Sequence, residues 1–100
     1  MKDLTSKQRQ YLKGLAHPLS PIVRVGKAGV TDSVIAETKK SLASHELIKV
    51  RVDIDDTAER RAIAEKLAEA SDSQLAAAIG KIAVLYRARD EDPDIELPGA

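Results

Sequence analysis

From Ile48 to Ile54 the chain alternates strictly between apolar and polar residues. Ile48, Val50, Val52 and Ile54 fall on one side of an extended strand over Leu47–Ile54, and Lys49, Arg51 and Asp53 fall on the other. A strand with one apolar face needs a sheet around it and a layer to cover that face. A second short apolar segment, Ile22–Val25, precedes it. Between the two, Val34, Ile35, Thr38 and Leu42 recur at helical spacing in a segment from about Asp32 to Ser44. Strand, helix, strand is a βαβ unit, which predicts parallel strands joined by a right-handed crossover.

The flanking segments extend this unit. Thr5 with Gln8 three residues on forms a capping box, predicting a helix that ends by Ala16 because Pro18 disfavours helical geometry at His17. Its inward stripe reads as Gln8, Tyr11, Leu12 and Leu15. Leu19–Pro21 is an extended connector. Asp56 with Glu59 opens a third helix to about Ala70, with Ala62, Ile63, Leu67 and Ala70 inward. Gln74–Ile79 and Ile82–Tyr86 flank Gly80-Lys81, the signature of a tight hairpin with glycine first. In simple alternation Leu75, Ala77 and Ile79 share a face with Ile82, Val84 and Tyr86. Ala76, Ala78, Ala83 and Leu85 then form a small-residue face, covered by helix 1 or by a partner. After Ala88 the tail is acidic and proline-punctuated; Ile95–Leu97 adds at most a short edge strand, and residues 98–100 fray. The expected fold is α/β, in the order α-β-α-β-α-β-β, with a four-stranded mixed sheet in one domain over residues 1–100.

Composition narrows the function. Of 100 residues fifteen are alanine, and Phe, Trp and Cys are absent, so the core is aliphatic and neither disulfide nor thiolate chemistry is available. No apolar run spans a bilayer and residues 1–20 lack a secretion signal, which predicts a cytoplasmic protein with no membrane partner. The formal net charge is zero, but it is unevenly distributed. Residues 1–51 carry ten Lys/Arg against four Asp/Glu, a net of +6; residues 52–100 carry six against twelve, a net of −6. Such a split creates one basic region able to orient a polyanion. His17 and His45 stand far apart with no cysteine near, so no metal site is expected. Asp55-Asp56 reads as turn and cap chemistry. No cofactor, small-molecule substrate or catalytic residue is recognisable.

Val25-Gly26-Lys27-Ala28-Gly29-Val30-Thr31 carries the strongest functional signal: strand, two glycines three apart around a lysine, then a helix cap. A helix starting at Thr31 aims unpaired N–H groups and a positive dipole end at the loop, and Lys27 adds a mobile cation. The stretch lacks the Lys-Ser/Thr order of a P-loop.

Several motifs together resemble one family. Lys7-Gln8, then Leu12-Lys13-Gly14-Leu15-Ala16-His17-Pro18-Leu19 and Pro21, resemble the amino-terminal signature of the CRM domain (chloroplast RNA splicing and ribosome maturation), in its free-standing bacterial YhbY-like form. Gly26 to Thr31 is similar to the family's G-x-x-G loop, His45 to Val50 to the start of its second strand, and Ile79-Gly80-Lys81 with Val84 to Arg87 to its closing hairpin. The likeness spans about residues 4–87, leaving an acidic tail of 88–100 where the family is expected to be neutral or basic. The third strand is also unusually alanine-rich. The resemblance implies a fold similar to the C-terminal domain of translation initiation factor three. It also implies binding to ribosomal RNA or precursors of the large subunit, without catalysis.

On this reading Gly26 and Gly29 let the backbone lie against a sugar-phosphate strand, with Lys27, Ala28 and Thr31 completing the loop contact. Arg24, Lys49 and Arg51 share one strand face and extend the basic surface; Lys7, Arg9 and Lys13 widen it if helix 1 packs beside the loop. With Tyr11 and Tyr86 the only aromatics, recognition of backbone and shape is expected rather than base stacking. The alternative is a protein-interaction module docking on a ribosomal or other basic protein without touching RNA.

Overall fold

In the computed structural model, which describes residues 3–99, the elements run α1 (Ser6–Ala16), β1 (Pro21–Val25), α2 (Asp32–His45), β2 (Leu47–Val52), α3 (Thr57–Ala70), β3 (Gln74–Ile79) and β4 (Ile82–Tyr86). This is the expected order, and it builds one mixed sheet in the order β1-β2-β4-β3. β1 and β2 are parallel; β4 runs antiparallel to both β2 and β3. The helix starts follow their caps. The Thr5 hydroxyl accepts from the Gln8 N–H (3.1 Å) while the Gln8 side chain accepts from the Thr5 N–H (3.0 Å). Thr31 Oγ1 accepts from the Val34 N–H (3.2 Å), and Asp56 Oδ2 from the Glu59 N–H (2.8 Å).

The sheet carries a layer on each face. On one, Val23, Val25, Ile48, Val50, Val52, Ala83 and Leu85 meet Leu42 of α2 and Ala64, Leu67 and Ala68 of α3. On the other, Leu47, Ala76, Val84 and Tyr86 meet Leu12 and Ala16 of α1, with Leu4 ahead of the helix. α1 lies across β2, β4 and β3, so the β1 end of this second face stays open.

Three expectations need correction. Tyr11 and Leu15 are not core: they are 42% and 39% exposed, and the buried stripe is Leu12 and Ala16. Leu12 and Ala16 instead share a buried layer with Leu47, Ala76, Val84 and Tyr86 of the sheet, where the small Ala16 and Ala76 leave room for the helix to sit close. In α3 the buried line is Ala64, Leu67 and Ala68, leaving Ala62 outside. A β-bulge between Leu75 and Ala77 breaks the alternation of β3, so Leu75 pairs with Leu85 and Ala77 with Val84. α1 therefore covers the Val84 and Tyr86 face, while Ala83 and Leu85 lie under α2 and α3. Ile95–Leu97, given at most a short edge strand, forms none; Ile95 and Leu97 pack onto the α1 layer, and the Pro98 carbonyl accepts from the Gln8 side chain (3.0 Å). Of the segment expected to fray, Ala100 lies outside the described residues.

A single buried carboxylate holds the tail. Glu46, fully buried at the α2–β2 junction, accepts from the backbone N–H groups of Arg89 (3.1 Å), Asp94 (2.6 Å) and Ile95 (3.1 Å). Arg89 reaches back to the free carbonyls of Ala43 and Ser44 at the end of α2 and pairs with Asp94. Burial, and secondarily the Glu46 charge, pushes the Tyr86 phenol above its ordinary pKa.

Candidate nucleic-acid interface

The loop after β1 is a compact turn anchored at both ends. Val25 is fully buried on one side, and Val30 packs against the core on the other. The Gly29 N–H donates to the Gly26 carbonyl (3.0 Å), closing a turn whose tip is Lys27-Ala28. Gly29 has φ +75°, the left-handed region where a side chain is strained. The Thr31 N–H then donates to the Gly29 carbonyl (3.1 Å), and Thr31 caps α2. Gly26, Lys27 and Ala28 are all exposed, at the positive end of a 14-residue helix. Asp32 in the first turn of α2 places a negative charge beside the same end.

The strand cations are brought together, but each is already engaged. Arg24 and Arg51 are register partners across β1 and β2, and both bind Asp53: Arg51 Nε donates to Oδ1 (2.6 Å) and Arg24 Nε lies 2.9 Å from Oδ2. The Arg51 hydrogen bond holds the Asp53 carboxyl below its ordinary pKa; partial desolvation opposes this, and the charges of Arg24, Arg51 and Lys81 reinforce it. Two guanidiniums sharing one carboxylate retain a net positive charge. Lys49 is turned elsewhere: its ammonium donates to the carbonyls of His17 (3.1 Å) and Leu19 (2.9 Å), clipping the connector between α1 and β1 to the sheet.

The helix cations sit on a helix that packs chiefly on β3, β2 and β4, not on β1, the strand that leads into the loop. Arg9 borders a groove with Arg61, Glu65 and Glu69 of α3, and its Nε donates to the Leu4 carbonyl (3.4 Å). Lys13, one turn on, shares that flank. Lys7 lies on the other flank of α1, beside Tyr11, Gln10 and Pro98. Asp53 was legible as an arginine partner, since residues two apart on a strand share a face. The tether on Lys49 and the exposure of Tyr11 leave no such mark in the sequence.

Among the described residues no group of three or more His, Cys, Asp or Glu is arranged to hold a metal, and no helix is long and apolar enough to cross a membrane. The family model of the CRS1 / YhbY (CRM) domain matches residues 4–87. The chain belongs to the CRM family. CRM relatives include the probable RNA-binding protein YqeI of Bacillus subtilis, 43% identical over 95% of this chain and 99% of that protein. Another is an RNA-binding protein of Haemophilus influenzae, 42% identical over 98% of each. The fold is similar to the solution structure of the hypothetical protein SAV1595 from Staphylococcus aureus, with a TM-score of 0.86 and 41% identity over 96% of this chain and 100% of that one.

Proposed function

We propose that this CRM protein binds structured ribosomal RNA through its G-x-x-G loop and the neighbouring arginines, as a cytoplasmic assembly factor for precursors of the large ribosomal subunit. The RNA part is supported by the names its relatives carry, and the ribosomal part by the motif resemblance over about residues 4–87. The whole chain acts as one binding domain, and binding and release suffice without a catalytic step.

Gly26 carries the loop reading. It has no positive φ, and a Cβ added there would meet no heavy atom within 4 Å. Neither conformation nor packing demands glycine, so the bare backbone is explained by something approaching from outside. A sugar-phosphate strand is such a visitor, and glycines at both ends of the turn let it lie against the main chain as in a KH clamp. Lys27 at the tip supplies a phosphate contact, and Arg24 and Arg51 offer two more cations on the open sheet face.

The test is the salt dependence of binding to a large-subunit ribosomal RNA fragment. We expect log K to fall steeply with log salt, and Lys27→Ala to flatten the slope by about 0.7 to 0.9. Gly26→Ala is expected to weaken binding about tenfold or more with a melting temperature no lower than wild type. A flat wild-type slope, or variants indistinguishable from wild type, would transfer the function to protein docking.

A further inference from the structure

Among the described residues five large apolar side chains are exposed, and four of them lie in one twelve-residue stretch: Tyr11, Leu15, Leu19 and Ile22. Tyr11 and Leu15 sit one turn apart on the same flank of α1. The chain then turns, with the Leu19 N–H donating to the Ala16 carbonyl, and enters β1 at Pro21-Ile22. The strip thus ends where β1 begins, and the G-x-x-G loop starts where β1 stops, about 16 Å further on for five residues.

Gly14 lies between Tyr11 and Leu15. It is inside a helix, where glycine costs about 1 kcal/mol against alanine, and a Cβ there would meet nothing within 4 Å. As at Gly26, nothing inside the molecule requires the missing side chain. Tyr11 also borders a groove of about 480 Å³ with Lys7, Gln10 and Pro98.

Charge identifies the occupant. Between Asp3 and Asp32 the sequence has no acidic residue and five cations; of these Lys7 borders the strip beside Tyr11, and Arg24 borders it beside Ile22, in a groove that Arg51 and the acidic Glu37 also line. Lys7 precedes the apolar strip on its own flank of α1, and Arg24 follows it on β1. Apolar and aromatic surface bracketed by cations suits unstacked bases on a charged backbone. A second copy of this chain would bring like charges together.

We propose that the Tyr11–Ile22 strip receives the unpaired bases of single-stranded RNA whose backbone the loop holds. This rests on the RNA reading above and deepens it: the preferred target is an unpaired segment, with Tyr11 as the stacking platform and Gly14 giving a base access to the helix.

The test compares a labelled single-stranded decamer of mixed sequence with the same decamer as a duplex, by fluorescence anisotropy. The proteins are wild type, Tyr11→Ala, Tyr11→Phe, Gly14→Gln and Gly26→Ala. Wild type is expected to prefer the single strand. Tyr11→Ala and Gly14→Gln are expected to weaken single-strand binding roughly tenfold with duplex binding unchanged. Tyr11→Phe should retain it, and Gly14→Gln should melt no lower than wild type despite its weaker binding. If Tyr11→Ala and Gly14→Gln bind like wild type while Gly26→Ala loses affinity, the loop reading stands and the strip is refuted. Loss in the strip variants alone supports the strip and removes the loop. Equal wild-type affinity for single strand and duplex also overturns the proposal, as does a wild-type dimer that Tyr11→Ala dissociates in sedimentation. Absence of all RNA binding by wild type ends both readings.

Discussion

Two arginines on adjacent strands share one carboxylate, and that sharing sets how they meet an anion. Asp53 binds Arg24 and Arg51 at once and neutralises part of the charge that a phosphate would otherwise find. Asp53→Asn should therefore raise RNA affinity and steepen its salt dependence, measured by the same binding titrations. The same pairing has a pH signature. A carboxylate whose folded pKa is depressed contributes stability that is fully present above the unfolded value of about 3.9, and that is lost as pH falls through the folded value. Denaturant melts below about pH 4 should show this acid loss in wild type and a shallower one in Asp53→Asn. Glu46 is the other decisive residue. It holds three backbone donors, and its backbone sits at φ +59°, ψ −41°, unfavourable for a side chain. Removing the carboxylate by Glu46→Ala should cost roughly 3 kcal/mol and speed hydrogen exchange at the amides of Asp94 and Ile95. Glu46→Gly should cost about 1 kcal/mol less, because glycine relieves the backbone.

The two glycines of the loop play different parts within one element. Gly29→Ala forces a Cβ into a left-handed position and should destabilise the fold by about 1 to 2 kcal/mol in a thermal melt. Gly26→Ala should be neutral or slightly stabilising, because the space beside it is open and alanine restricts the unfolded chain. Elements built on strong local rules were readable from the sequence: the alternation of β2, the three capped helix starts and the Gly80 hairpin, where Gly80 has φ +56°. The loop was equally plain, since its turn is closed by local hydrogen bonds. What failed depended on distant partners. Which flank of α1 turns inward depends on the sheet face it meets, built from β2, β4 and β3 far along the chain, and that face takes Leu12 and Ala16 and leaves Tyr11 and Leu15 outside. Simple alternation in β3 gave no hint of the bulge that turns Leu75 to the other face. Lys49 looked like a free cation because the carbonyls that hold it belong to a connector thirty residues earlier.

For the molecule as a whole, the charge division of the sequence acquires a geometry. The loop opens the N-terminal end of α2, while Arg89 anchors the acidic tail at that helix's C-terminal end, about 21 Å away for 14 residues. A polyanion is thus drawn to one pole and repelled from the other. The tail also closes the α1 layer: Ile95 and Leu97 pack there, and the Gln8–Pro98 hydrogen bond joins residues 90 positions apart. Closing so long a loop is entropically unfavourable until much of the domain is formed. Pulse-labelled hydrogen exchange during refolding should therefore protect β1, α2 and β2 before α1 and the amides of Asp94 and Ile95; simultaneous protection would contradict this order. Synthesis imposes the same sequence of events. When translation has only reached Ala88, the clamp at Glu46 has nothing to grip, and the layer that holds the first helix still lacks the two tail side chains that close it.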